Sequence, residues 1–246
     1  MNRYGLIGRT LKHSFSKTYF TKKFEEEGMP DYVYDNFELA AIDEFPQLFR
    51  KYPDLKGLNV TIPYKEEVLQ YLTQKNAIVE AIGACNCIRV LGNERIGYNT
   101  DAIGFRKSLE PLLQPHHQKA LILGTGGASK AVRYVLEQLN IQFNFVSRQK
   151  GESQLGYADV DEEVLSSFHL IVNTTPLGMF PNIDAAPALP YHYLNDKHLL
   201  FDLIYNPAKT KFLAEGEKQG AQICNGHQML IEQAEAAWVI WNSSEP

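Results

Sequence analysis

The sequence predicts an α/β protein of two units, each built on a mostly parallel sheet. Three observations carry that expectation. Short apolar runs alternate with amphipathic segments along nearly the whole chain, the pattern of strands joined by crossover helices. The alternation pauses at Gln114-Pro115-His116-His117, a polar, proline-bearing candidate boundary, and then restarts. The restart opens with Leu121-Ile122-Leu123-Gly124-Thr125-Gly126-Gly127-Ala128-Ser129, an apolar run cut short by glycines and followed by a helical pattern. At 246 residues, 44% hydrophobic and 22% charged, the chain suffices for one large or two small cores.

In chain order, 3–8 reads as a strand and 16–28 as a helix, with Ser14 or Ser16 available to cap it. Strand 32–38, helix 42–51 and strand 57–62 follow. Pro63 is expected to open a short helix through Leu72, because its missing N–H costs nothing in a first turn. Segments 85–91 and 95–98 flank Gly92-Asn93 as a hairpin, and 101–113 is helical. Beyond the pause, strands are expected at 120–123, 142–146, 170–173, 199–203 and 221–223, with helices at 130–139 and 228–241.

Composition excludes several classes. A net charge of −5 without a basic block argues against a nucleic-acid binder. No apolar run approaches the ~20 residues of a membrane helix. The N-terminus enters a strand with no signal-peptide core, so a cytoplasmic location is expected. The three cysteines, Cys85, Cys87 and Cys224, have no zinc or disulfide spacing and read as reduced thiols. There is no Gly-x-Ser-x-Gly elbow and no Walker lysine.

A strand turning tightly into a helix exposes unpaired N–H groups at the positive end of the helix dipole, a seat for pyrophosphate. Gly124, Thr125, Gly126, Gly127 and Ala128 would make that turn in a dinucleotide fold. Ser129 stands where a third glycine is usual. The next strand ends in Ser147-Arg148-Gln149-Lys150, without the carboxylate that binds the NAD ribose. A hydroxyl, a guanidinium and an ammonium there favour the 2′-phosphate of NADP. Asn173-Thr174-Thr175-Pro176 follows an apolar strand at its expected carboxyl end, where ligands of open α/β sheets sit.

In the first unit, Ser14 and Ser16 are spaced to converge on a carboxylate, while His13 is given no role. Lys65 falls in the first turn of the helix expected after Pro63, where dipole and burial would lower its pKa and suit it to proton transfer. Asp101 stands at a helix start, in an N-cap position. Asn86, between two cysteines in apolar surroundings, requires buried hydrogen-bond partners.

Eight segments in register resemble the shikimate dehydrogenase family over nearly the whole chain. They are His-Ser-Phe-Ser at 13–16, Asn-Val-Thr-Ile-Pro-Tyr-Lys at 59–65, Gly-Ala-Cys-Asn at 83–86 and Asn-Thr-Asp at 99–101. The others are Gly-Thr-Gly-Gly-Ala-Ser at 124–129, Asn-Thr-Thr-Pro at 173–176, Asp-Leu-Ile-Tyr at 202–205 and Gln-Met-Leu-Ile-Glu-Gln at 228–233. The resemblance implies reversible NADP-dependent reduction of 3-dehydroshikimate to shikimate. It implies a substrate domain of 1–101 plus 228–246 and a Rossmann-like NADP domain of 102–227, joined by helices, with the site in the cleft between. By the same resemblance, Ser14, Ser16 and Tyr205 would hold the substrate carboxylate, and Thr61, Asn86 and Gln233 its hydroxyls. Lys65 and Asp101 would be the catalytic pair. Gly124 to Ala128 would cradle pyrophosphate, Ser147 and Arg148 would read the 2′-phosphate, and Leu203 and Gly226 would line the nicotinamide end. No metal is implied. The assembly would be a monomer or homodimer with small-molecule ligands only. Alternatives are a quinate/shikimate paralogue with relaxed cofactor use, or a non-catalytic NADP-binding sensor on the same fold. Departures from the family pattern are Lys17, Cys87, Ser147, Gln149 and Gln228.

Overall fold

The computed structural model describes residues 1–12, 14–151 and 154–243; His13 and the chain end at 244–246 lie outside them. Two compact units are present. One comprises Met1–Thr100 with the helical segment from Ala234, and the other Asp101–Gln233.

In the first unit, β1 (Asn2–Gly8), α1 (Phe15–Glu26), β2 (Tyr32–Glu38), α2 (Phe45–Lys51) and β3 (Leu55–Val60) alternate as expected. Then come β4 (Gln74–Lys75), α3 (Ala77–Ile82), β5 (Cys87–Leu91) and β6 (Glu94–Tyr98). The sheet order is β2-β1-β3-β5-β6-β4. β1 pairs in parallel with β2 and β3, and the β5–β6 hairpin supplies the antiparallel part. Alternate residues of β1 serve opposite faces. Tyr4 and Leu6 pack with Phe20, Phe24 and Trp241, while Ile7 packs with Phe45, Leu58 and Tyr64.

The helix expected after Pro63 does not form; turns lead instead to a 3₁₀ helix at Glu67–Tyr71. The Lys65 carbonyl, which an α-helix would give to Leu69, accepts instead from Cys85 N at 2.8 Å. Leu69 N turns to Glu66 O at 3.2 Å, a three-residue step. Tyr64, fully buried, pins the segment by donating its hydroxyl to Leu39 O at 2.6 Å.

α4 (Thr100–Leu109) and α8 (His227–Asn242) carry the chain across the unit boundaries. α4 stops four residues short of the expected end, where Pro111 converts the next turn to 3₁₀ at Glu110–Leu112. The polar stretch 114–117 is therefore not a boundary, since it lies inside the second unit.

The second unit contains β7 (Lys119–Leu123), α5 (Gly127–Gln138), β8 (Gln142–Ser147), β9 (Gln154–Gly156), α6 (Glu162–Ser167), β10 (Leu170–Asn173), β11 (Leu199–Asp202), α7 (Lys211–Lys218) and β12 (Gln222–Cys224). Its sheet runs β12-β11-β10-β7-β8-β9, every pair parallel. This is the doubly wound dinucleotide-binding order, with its reversal between β7 and β10. All of β10 and β11 and the apolar residues of β7 are buried, as a sheet covered on both faces requires. No helix among the described residues is long and apolar enough to cross a membrane.

Four histidines gather at the amino ends of these strands. Ring centroids lie 4.4 Å apart for His116 and His117, 5.6 Å for His116 and His169, and 5.3 Å for His169 and His198. His117 Nδ1 accepts from Gln114 N at 2.9 Å and its Nε2 faces Lys197 O at 3.1 Å. His198 repeats the arrangement, with Asn195 N at 3.1 Å and Leu165 O at 3.0 Å. The neutral Nε2–H tautomer suits both rings; a second proton at Nδ1 would face a backbone donor, though at His198 Asn195 Oδ1 also lies 3.1 Å from Nδ1. Burial lowers both pKa values from the ordinary 6.5. The unfolded chain therefore binds more protons just below that value, and stability falls as pH drops through it. Urea midpoints should be lower at pH 5.5 than at pH 7.5. The difference should shrink in His198→Gln, which has no ring to protonate.

Candidate active site and cofactor-binding turn

The first unit gathers its polar residues where β1 and β3 end. Ser14 caps α1, accepting from Lys17 N at 3.1 Å. With its oxygen taken by that N–H, its own proton remains to donate outward. Ser16, one residue into the helix, is not the cap and instead hydrogen-bonds Tyr34. Thr61 lies just past β3, its N–H donating to Ile7 O at 2.9 Å. Lys65 and Thr61 are half-buried.

Asn86 has the buried partners its sequence position demands. Thr100 N donates to its Oδ1 at 2.6 Å, and its Nδ2 donates to Thr100 Oγ1 at 3.0 Å. Its carbonyl accepts from Val60 N at 2.8 Å and from Asn59 Nδ2 at 3.4 Å. Asn59 Oδ1 in turn accepts from the Tyr34 hydroxyl at 2.7 Å. The backbone carbonyl fixes the Asn59 amide, so Tyr34 must be the donor and its oxygen is left to accept from Ser16. Burial holds the Tyr34 phenol well above its usual range.

Asp101 lies in the first turn of α4, which begins at Thr100, so it is not the cap expected from the sequence. A carboxylate there is favoured by the helix dipole. The residue before that helix, Asn99, is buried and donates to Ala84 O at 2.9 Å. Gln233 is buried in α8, with Nε2 donating to Leu230 O at 3.1 Å.

In the second unit, Gly124 leaves β7 at φ 98°, and a Cβ there would stand 2.9 Å from Thr175 Cγ2. Gly126 takes the cap position of α5 with no side-chain hydrogen bond, so the helix starts without a side-chain cap. Thr125, Gly126, Gly127 and Ala128 are exposed, and Cβ atoms at Gly126 and Gly127 would meet nothing within 4 Å. Those open positions over a bare helix N-terminus suit a pyrophosphate. Beside them an open cleft of about 480 Å³ is lined by Thr125, Ser147, Arg148, Gln149 and Gln154. Ser147 Oγ donates to Gln149 O at 2.5 Å and Lys150 pairs with Asp159 at 2.8 Å. The cationic set expected at 147–150 thus reduces to Arg148, exposed at the cleft.

Leu203 and Gly226 are brought together. A Cβ on Gly226 would overlap Leu203 O at 2.1 Å, and Gly226 N donates to Ile204 O at 3.0 Å. Tyr205, on the same loop as Leu203, is exposed.

Residues 6–88 match the shikimate dehydrogenase substrate binding domain. A shikimate dehydrogenase (NADP(+)) of Caldicellulosiruptor saccharolyticus is 36% identical over 98% of this chain and 92% of its own. One from Clostridium botulinum is 37% identical over 96% and 95% respectively. The crystal structure of a Thermus thermophilus shikimate 5-dehydrogenase in complex with NADP(H) and shikimate superposes with a TM-score of 0.86. It is 27% identical, covering 100% of this chain and 95% of that one. The chain belongs to the shikimate dehydrogenase family.

Within this family member, sequence reasoning missed Tyr34, Gln154 and Thr210. Asn59, Thr100 and Asp202 lay in quoted motifs without a role. Tyr34 carried no signal: it is one aromatic among several in an ordinary strand, and only its partners distinguish it. Tyr34→Phe would leave the buried Asn59 Oδ1 without its donor, costing about 1–3 kcal/mol. Its urea unfolding free energy should fall by that amount, with an unchanged far-UV spectrum.

Proposed function

We propose that this chain catalyses the reversible NADP-dependent reduction of 3-dehydroshikimate to shikimate, a step towards chorismate and the aromatic amino acids. The observation that carries the reading is family membership across 98% of the chain with Lys65 and Asp101 both in place. The substrate domain is assigned to 1–101 plus 228–246 and the NADP-binding domain to 102–227.

NADP, when bound, supplies or accepts the hydride. The chain's own residues do the rest. Ser14 and Ser16 meet the substrate carboxylate as neutral donors, joined by the Tyr205 hydroxyl. Thr61, Asn86 and Gln233 hold the ring hydroxyls. Asn86 is suited to this because Thr100 fixes which way its amide points. Lys65 gives its proton to the oxygen that gains charge as the carbonyl is reduced, and Asp101 orients the lysine and binds the reacting hydroxyl. With no α-helix at 63–72, the dipole argument for tuning Lys65 falls away, and position alone carries its assignment. Gly124, Thr125, Gly126, Gly127 and Ala128 cradle pyrophosphate, and Arg148 reads the 2′-phosphate beside Ser147, whose hydroxyl is bonded to the Gln149 backbone. Leu203 and Gly226 line the nicotinamide end. The ligands are small molecules, the assembly a monomer or homodimer. The cytoplasm is the proposed location, in keeping with three unbridged cysteines.

The direct test is NADP+ reduction followed at 340 nm with shikimate, with quinate and NAD+ as controls. Turnover of quinate but not shikimate, or of neither, would remove the proposal. Lys65→Ala should keep NADPH affinity and lose at least ~100-fold in kcat. Arg148→Gln should weaken NADPH about ten- to hundredfold, the worth of charge-assisted hydrogen bonds, and leave NADH binding unchanged. Equal losses for both cofactors would detach Arg148 from the 2′-phosphate.

A further inference from the structure

A carboxylate surrounded by donors lies at the carboxyl edge of the second sheet. Asp202 ends β11 and is 0% exposed. Its Oδ1 accepts from Asn173 Nδ2 at 3.1 Å and from Ile204 N at 3.0 Å, and its Oδ2 accepts from the Thr210 hydroxyl at 2.6 Å. Each partner is itself fixed from behind. Asn173 Oδ1 takes the N–H and the hydroxyl of Thr175 at 3.1 and 2.7 Å, so its amide must present Nδ2 to Asp202. Thr210 caps α7, its oxygen accepting from Leu213 N at 3.4 Å. The Ile204 carbonyl holds Gly226 N at 3.0 Å. Thr174, next to Asn173, donates its hydroxyl to Leu123 O at 2.7 Å, where the glycine turn begins. One carboxylate thereby joins the loops that follow β10 and β11 to the start of α7, and the loop after β10 reaches back to β7.

We propose that Asp202 is a positioning residue for the reaction: its ionised carboxylate holds 203–205 in register with the loop after β10, and so places Leu203 for the cofactor and Tyr205 for the substrate. The proposal rests on the functional reading above for those two contacts. The hydrogen bonds of the cluster favour the charge. The Asn173 amide and the Ile204 N–H can only donate to Asp202, so a proton on its carboxyl would have to go to the Thr210 oxygen, which already accepts from Leu213 N, and the Thr210 hydroxyl proton would then lose its acceptor. An asparagine would fail for the same reason. The groups facing the carboxylate are the Asn173 amide from β10, the Ile204 N–H of its own loop, the Thr210 hydroxyl before α7 and the nearby Tyr191 phenol. None of them is a cation. Burial pushes the Asp202 carboxyl up to about 6 against the pull of its hydrogen bonds. The ionised clamp is therefore complete above that pH and is lost as pH falls through it.

The experiment measures NADPH dissociation constants by cofactor fluorescence, and KM for shikimate, from pH 5 to pH 8, for wild type, Asp202→Asn, Thr210→Val and Thr210→Ser. The wild type should weaken for both ligands as pH falls through about 6. Asp202→Asn should be weaker than wild type by about five- to hundredfold above that pH, should lack the step so that the two converge below it, and should show a smaller change in kcat. Thr210→Val removes one donor and should move the step to higher pH, while Thr210→Ser restores it. Wild-type affinities in a folded Asp202→Asn protein would overturn the proposal. If circular dichroism shows that variant unfolded, Thr210→Val decides. A step that stays in place there belongs to the dinucleotide's own 2′-phosphate, and the clamp is refuted. A wild type that binds NADPH but does not oxidise shikimate defeats the functional reading instead, and the NADPH arm still judges Asp202.

Discussion

Buried polar side chains at the ends of parallel strands set the geometry of both half-sites. A parallel strand must be left by a loop, and a loop at a covered sheet has backbone groups to satisfy. In the first sheet Asn59, near the end of β3, does this work, joined to Tyr34 and to Asn86, which stands before the antiparallel β5 and is itself joined to Thr100. In the second sheet Asn173 and Asp202 do it, joined to Thr175, Ile204 and Thr210. None of these can be traded for an apolar residue without stranding a neighbour, so each network holds as a unit. Loop conformation at the site follows from these satisfied groups more than from the loops' own propensities.

The two networks differ in charge, and the difference matters. The first is neutral throughout, made of amides, hydroxyls and backbone groups that satisfy one another. The second contains one anion held by donors alone. Protonating it would reverse the Thr210 bond and leave that hydroxyl's proton without this acceptor, so that network favours one protonation state. Arg148, by contrast, stays exposed at the cleft margin. A solvated guanidinium contributes little to holding the fold, and its planar donor fork is left open to an anion.

The doubly wound sheet, the glycine turn and the motif residues were legible in the sequence because each leaves a local mark: apolar runs, glycines and a missing carboxylate after β8. The elements that were not legible are short. α3, α6 and α7 span six to eight residues, too few for a helical period to stand out, and their Asn76, Asp161 and Thr210 caps look like ordinary loop residues. The helix expected after Pro63 failed for a non-local reason, the claim of Cys85 N on the Lys65 carbonyl. No reading of 60–72 alone contains that bond. Tyr34 was invisible for the same cause, since its significance lies in partners distant in the chain, and Asp202 stood in a quoted motif with no role to mark it.

That failed helix also changes what can be asked of Lys65. In a helical first turn its ammonium would sit against the positive dipole, and a lowered pKa would follow from backbone geometry alone. The turn offers no helix dipole to argue from. What the surrounding bonds fix is the placement of its backbone. Tyr64 anchors the residue before it in the core, and Cys85 fixes its own carbonyl next to Asn86. The same backbone bond that took the place of the helical one therefore ties the lysine's segment to Cys85, the residue before the buried Asn86, so the two motif segments are held together by their backbones. Fixed placement of this kind is what proximity and orientation ask of any group that is to act on a bound ligand.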